Sequence, residues 1–438
     1  MTRQRIIIFL SMILILNSAF CFAADRFPRP EFTSDYQKPQ IISPLPEASW
    51  IDYLDMAVLV MALTLASWLA LRKRSRNGLF VLSLFSLAYF GFWRSGCICP
   101  IGAIQNVTLA LFEPGYTLPM VVLVFFFLPL LFALFFGRTF CAAVCPLGAI
   151  QDLMLLRPHR IPAPVAAVLG LLPVIFLGAA VLFSALNSGF IICRLDPFVS
   201  FFRFSGEFKM IILGVLFLLV ALFFGRPYCR FMCPYGVLLS WVSRFSKWHV
   251  SITPDHCTQC RLCENSCPFE AINTPLPEIS QTERQAAFKR FRLQIPLLII
   301  LFFSAGGILG YGLHIPLSKM NSTVSLAEQV VAEQLIQKET TLASRTFHES
   351  GKTLPQLLQE AKDIRNRFRV GSTILGFFIG LMFCIKILAV TTRRPLRDYE
   401  ADRGACFSCG RCFAYCPDEH ERQKLLTDQP DKIYESIG

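Results

Sequence analysis

Charge is scarce in this sequence. Asp, Glu, Lys and Arg make up 16% of its 438 residues, while 54% are hydrophobic and Phe alone occurs 42 times. A soluble chain of this size needs far more polar surface, so a polytopic membrane protein is implied. Histidine is sparse too, six in all, and no two fall inside the apolar runs. That argues against a haem held between helices. There is no G-x-x-x-x-G-K-[ST] loop and no G-x-G-x-x-G, so the usual cradles for nucleotide and dinucleotide phosphates are missing. A Ser/Thr-Gly-Ala-Thr segment of the kind that carries a covalent flavin is also absent.

The formal charge is +12. Its basic residues gather in the loops between apolar runs, as loops on one face of a membrane do. No nucleic-acid partner is needed to explain it.

Cysteine is the plentiful reactive residue, with 17 copies. Their spacing does not suit a disulfide framework. Eight lie in "CTQCRLCENSCP" and "CFSCGRCFAYCP", two copies of C-x2-C-x2-C-x3-C-P. At this spacing three cysteines wrap one iron–sulfur cubane, and the fourth, before proline, reaches the partner cluster. The rule assigns one [4Fe-4S] cluster to Cys257, Cys260, Cys263 and Cys416, and a second to Cys406, Cys409, Cys412 and Cys267. Zinc sites use paired knuckles instead of such a triplet with a trailing Cys-Pro. Reduced thiolates place these motifs in the cytoplasm.

A second pattern repeats. "FFGRTFCAAVCPLGAIQ" at 135–151 returns as "FFGRPYCRFMCPYGVLL" at 223–239. Cys141 and Cys145 match Cys229 and Cys233; Gly137-Arg138 matches Gly225-Arg226. A spacing of four puts both sulfurs of a pair on one face of a continuous helical turn, and Pro146 and Pro234 suit the start of a following helix. The duplication predicts two similar helix pairs about a pseudo-two-fold axis, with four thiols converging at the inner membrane face as a cluster or as two redox dithiols. Arg138 and Arg226 would either stabilise thiolates or snorkel to headgroups. A looser echo, "SGCICPIGAIQN" and "SGFIICRLDPF", supplies Cys97, Cys99 and Cys193. These predict a weaker outer-face redox or metal site, with Asp196 as a candidate fourth ligand and a disulfide as the alternative. Cys384 lies alone in an apolar run and reads as packing.

Apolar runs that fit a ~30 Å hydrocarbon core lie at 53–71, 78–93, 118–136, 164–186, 209–225, 293–313 and 371–391. Residues 1–24 read as a signal peptide cleaved near Ala23 or Ala24, or as a signal anchor. The outer N-terminal segment 25–52 follows. A duplicated membrane domain then occupies 53–250, and 251–292 is the first ferredoxin half. The span 293–313, an outer helical segment 314–370 and the span 371–391 lead to the second half and tail, 392–438. With the start outside, the basic run Arg72 to Arg76 and the loops 137–163 and 226–292 fall in the cytoplasm, satisfying the positive-inside rule. Seven crossings return both motifs to that side. The fold expected is thus an α-helical polytopic membrane protein of about seven spans. A cytoplasmic bacterial-ferredoxin-like α+β module with two [4Fe-4S] clusters is assembled on it from two separated segments.

The C-x3-C-P motifs after "GR-x-[FY]", followed by the two ferredoxin motifs, resemble the NosR/NapH-type membrane polyferredoxins over about 80–270 and 393–417. The resemblance implies electron transfer across a bacterial cytoplasmic (inner) membrane. The donor would be quinol, ferredoxin or flavodoxin, and the acceptor an extracytoplasmic flavoprotein or reductase. The chain would be the electron-transfer subunit of an oxidoreductase system, not a stand-alone catalyst. The large outer flavin-binding domain of NosR-type proteins is absent before the spans, which leaves the flavin role to a separate partner. The alternative, from the oxidase-assembly polyferredoxins, is a factor that reduces or delivers copper through the outer thiols.

Overall fold

The computed structural model describes residues 49–96, 99–156, 158–204, 208–252, 257–275, 281–336, 341–349, 352–391 and 398–421. The signal segment, most of the outer N-terminal segment, Cys97 and the tail beyond 421 lie outside the described residues.

The described residues are mostly helical, and proline opens many of the helices. α1 (Ser49–Leu71) carries the first apolar run. α2 (Arg76–Ser86) opens on Ser75, whose hydroxyl accepts from Gly78 N, and runs on into a π-helical stretch, Leu87–Trp93. The first unit continues with α3 (Pro100–Phe112), α4 (Met120–Phe136), a second π-helical stretch at Phe140–Val144 and α5 (Pro146–Met154). The second unit holds α6 (Ala163–Leu169), α7 (Leu172–Ala185), α8 (Ile191–Leu195), α9 (Pro197–Arg203), α10 (Phe208–Ala221), α11 (Pro227–Phe231) and α12 (Pro234–Ser243). Proline at the first helical position has no N–H to lose and a preset φ, while the residue before it is driven extended. Long apolar runs are thereby cut into long helices and short, buried ones.

Among the described residues, four helical stretches are long and apolar enough to cross a membrane: Trp50–Leu71, Pro164–Ala185, Ile295–Gly312 and Leu354–Leu388. A fifth is counted if α9 and α10, bent by 104°, form one broken crossing. Of the remaining runs, 118–136 appears as the shorter apolar helix α4, and 78–93 as the mixed α/π helix.

α13 (Leu262–Ser266) and β1 (Ile272–Asn273) belong to the first ferredoxin half, which leads to α14 (Gln281–Gly312). α15 (His314–Ser318), α16 (Ser322–Ile336) and α17 (Leu342–Glu349) precede α18 (Leu354–Thr391), 38 residues without a break. α15 to α17 and the first part of α18 occupy the segment 314–370, and α18 continues directly into the final apolar run. Val324, Ala327, Val330, Phe347, Leu357 and Ala361 give this segment a small core of its own. α14 and α18 pack backbone to backbone: a Cβ on Gly306 would meet the Gly376 carbonyl, and one on Gly310 the Ser372 carbonyl. Small residues permit this close approach between apolar helices.

β2 (Glu400–Ala401) and α19 (Arg411–Tyr415) complete the ferredoxin module. β2 pairs antiparallel with β1 in the register Ile272↔Ala401 and Asn273↔Glu400, and Asp402 N donates to Ala271 O at 2.8 Å. Phe269 and Phe407 pack with ring centroids 4.6 Å apart. Two segments separated by α14 to α18 thus close into one module. Its Phe269, Phe407 and Phe413 belong to the same buried core as the two membrane units.

Candidate iron-sulfur sites

In the ferredoxin module, Cys257, Cys260, Cys263 and Cys416 line one cavity, together with Tyr399 and Asp418. Cys412 lies within electrostatic reach of Cys406, Cys409 and Cys267, so the other four cysteines also form one group. Burial pushes the Cys263 thiol up to about 11 and the Cys406 thiol up to about 12. Such thiols stay protonated at neutral pH until a metal displaces the proton. Ser408 N donates to Cys406 Sγ at 3.4 Å, the kind of N–H···S contact that offsets the negative charge of a bound cluster.

The repeated membrane motifs meet as well. Cys141, Cys145, Cys229 and Cys233 all line one cavity, walled by Phe140, Leu147, Phe198, Phe202, Tyr235 and Leu239 among others. They do so in a way the spacing alone did not indicate. Each pair straddles a break instead of sharing a helical face: Cys141 lies in a π-helical stretch and Cys229 in α11, while Cys145 and Cys233 are the extended N-caps of α5 and α12. The prolines that follow cause the break. Three polar contacts reach the sulfurs: Gly236 N to Cys233 Sγ at 3.3 Å, Gln151 Nε2 to Cys229 Sγ at 3.4 Å, and Arg138 Nη2 to Cys141 Sγ at 3.8 Å. A water-poor, sulfur-lined cavity with cationic and N–H donors suits an iron–sulfur cluster. Among the described residues, no three His, Cys, Asp or Glu side chains converge at the spacing of a single metal ion.

Cys99 lines this same cavity. Cys193 is exposed and flanks α3. Cys384 is buried in α18.

Arg138 and Arg226 do not snorkel. They are 5% and 0% exposed. Arg226 donates to the carbonyls of Cys141 and, at 3.3 Å, Ala142. Arg138 donates to Gly404 O at 3.2 Å and lies 4.0 Å over the Phe407 ring. The duplicated Gly-Arg therefore clamps the ferredoxin module: Gly137 faces Ser408, and Gly225 faces Pro268.

Sequence reasoning missed the centre of this clamp. Asp152, 2% exposed in its side chain, pairs with Arg76, with Arg411 at 3.0 Å and with Arg226 at 3.7 Å. Arg76 also donates to Cys409 O at 3.0 Å, and Arg74 pairs with Glu419 at 2.5 Å. The basic run read only as a topology signal in fact docks the cysteine module. A signal was available for the glutamines: the echo "CPIGAIQN" and "CPLGAIQD" places Gln105 and Gln151 where each accepts a backbone N–H, from Ile192 and Tyr228, both at 3.0 Å.

Comparison with known proteins agrees with this arrangement. Residues 118–164 and 207–253, one in each unit, match the same 4Fe-4S binding domain, and residues 250–273 match a second 4Fe-4S binding domain. The fold and sites define an iron–sulfur protein with apolar helices that fit a membrane. An uncharacterized protein of Methanocaldococcus jannaschii is 36% identical over 73 residues, 17% of this chain and 30% of that protein. The putative electron transport protein YccM of Escherichia coli is 36% identical over 70 residues, 16% of this chain and 19% of its own. Protein NirI of Paracoccus denitrificans is 30% identical over 107 residues, 24% and 16% respectively. The chain thus covers less than a third of each of these relatives. No solved structure matches it. Together these matches support the NosR/NapH-like polyferredoxin family that the motifs resemble.

Proposed function

We propose that this protein carries electrons across the bacterial cytoplasmic membrane, with its ferredoxin module on the cytoplasmic side. The donor is a quinol, ferredoxin or flavodoxin, and the acceptor an extracytoplasmic flavoprotein or reductase. The observation that carries the reading is the single buried cavity lined by Cys141, Cys145, Cys229 and Cys233, clamped against the ferredoxin cysteines by Arg138 and Arg226. One-electron redox chemistry is what iron–sulfur clusters at these cysteines supply.

The chain's own residues set the order of the sites. Cys260 is exposed, so the set of Cys257, Cys260, Cys263 and Cys416 faces a soluble partner. Cys267 and Cys409 lie against the membrane units, through Pro268 on Gly225 and the Arg76 contact to Cys409 O. Arg138 touches both sides: it lies over the Phe407 ring and donates to Cys141 Sγ. The apolar cavity walls keep water out, and the N–H donors fix the sulfurs.

Iron and acid-labile sulfide per chain, measured on anaerobically purified protein with EPR of the reduced form, test the reading. The expected result is more than the about eight irons of two cubanes, with the excess lost in a Cys141→Ser/Cys229→Ser variant that keeps both ferredoxin signals. Transmembrane electron flow in vesicles should stop in the same variant. Unchanged iron and unimpaired flow would reduce the duplicated motif to packing.

A further inference from the structure

The two repeats exchange arginines. A Cβ built on Gly236, in the second repeat's α12, would stand 3.4 Å from Arg138 Nη2 of the first. One built on Gly148, in the first repeat's α5, would stand 3.1 Å from Arg226 Nη1 of the second. Each guanidinium thus lies over the first turn of the helix that follows the other repeat's Cys-Pro. Glycine at these two places leaves the room that a side chain would fill.

Arg138 also spans two sulfur sets. Its Nη1 donates at 3.2 Å to the carbonyl of Gly404, close before Cys406, and its Nη2 to Cys141 Sγ at 3.8 Å. It lies within electrostatic reach of Cys406 in the ferredoxin module and of Cys229 in the membrane cavity. Arg226 reaches Cys229 as well and holds the Cys141 carbonyl.

Positive charge is in surplus at this junction. Arg76, Arg226 and Arg411 share the one carboxylate of Asp152, and among the described residues no carboxylate pairs with Arg138. The Nε–H groups of Arg138, Arg226 and Arg411 are buried without an acceptor. A buried guanidinium needs an anion to offset its lost hydration, and here the carboxylates are too few. What lies beside the arginines is sulfur, and clusters held by four thiolates carry net negative charge. The Cys257 set is surrounded differently. Arg261 and Asp418, one charge of each sign, line its cavity, and Arg261 is exposed, where salt and water screen it.

We propose that Arg138, with Arg226, is a counter-charge common to two iron–sulfur centres. One is at Cys267, Cys406, Cys409 and Cys412; the other is at Cys141, Cys145, Cys229 and Cys233. This rests on the reading that the latter four hold a cluster. An electron entering either set adds one negative charge there, with no bond made or broken and no proton moved. A guanidinium beside both sets favours that added charge at each. It raises the two midpoints together instead of opening a gap between them. An electron leaving the ferredoxin module for the membrane units then meets little climb.

EPR-monitored redox titration of the full chain, purified anaerobically, tests this in Arg138→Gln, Arg226→Gln and Arg138→Lys variants. Components are assigned with Cys257→Ser, Cys406→Ser and Cys141→Ser. Both Gln variants are expected to move the Cys406-dependent and Cys141-dependent components to more negative potentials in parallel. The Cys257-dependent component should stay in place. Arg138→Lys keeps the charge and should hold both midpoints near wild type, which a packing role would not do. Unshifted midpoints in both Gln variants, or equal shifts in Arg138→Lys and Arg138→Gln, would overturn the proposal. Loss of a cluster in Arg138→Gln but not in Arg138→Lys would support the need for charge; loss in both would make the role steric and overturn it. A wild type with no Cys141-dependent component would sink the membrane-cluster reading itself. If that component is present but does not move, only this proposal falls.

Discussion

Gly225 lies directly against Pro268. A Cβ built on Gly225 would stand 2.6 Å from the Pro268 carbonyl oxygen and 2.9 Å from its Cβ. The contact joins the second repeat's Gly-Arg to the residue that follows Cys267, at the seam between the cysteine-rich module and the membrane units.

Gly225→Ala is therefore expected to loosen that seam. The clash involves backbone, which cannot rotate away, and overpacking of this kind costs about 1–3 kcal/mol. Thermal bleaching of the iron–sulfur absorbance should move to lower temperature. Gly115→Ala, where a Cβ meets nothing within 4 Å, should leave it unchanged.

Asp152→Asn removes the carboxylate that Arg76, Arg226 and Arg411 share. Breaking a buried ion pair by deleting one partner costs about 3–5 kcal/mol, because the remaining charges stay uncompensated. The expected outcome is increased proteolysis of the ferredoxin module in detergent-purified protein, with α14 and α18 protected as in the wild type. Equal protection of the module would show that the clamp contributes little.

Cys416→Ser should damage the cluster site otherwise built by the first motif, since Cys416 shares a cavity with Cys257, Cys260 and Cys263. EPR of the reduced variant should retain the signal that depends on Cys406, Cys409 and Cys412. Loss confined to that second signal would show that the ligands do not cross between motifs.

Chelation of iron under reducing conditions should leave a module that reloads faster at higher pH. Burial raises the Cys263 thiol to about 11 and the Cys406 thiol to about 12. Each must lose a proton to bind iron, and a rising pH lowers the cost of that step. Reconstitution with ferrous iron and sulfide, followed by absorbance from pH 7 to 9, should accelerate across the series. A flat profile would mean that deprotonation is not what limits loading.

Much of this was legible in the sequence because it depended on local rules. Low charge and long apolar runs fixed the class. The C-x2-C-x2-C-x3-C-P spacing marked the ferredoxin cysteines, and the 88-residue offset between Cys141 and Cys229 marked the repeat. Proline told where helices start. What only the tertiary structure decided concerns residues distant in the chain. Cys99 joins the cavity of Cys145 and Cys233 because α3, α5 and α12 converge on one core. Asp152 gathers Arg76 and Arg411, 76 and 259 residues away, and no periodicity signals such a partner. Spacing reports geometry within a turn or a loop; which turns face one another is set by packing across the whole chain.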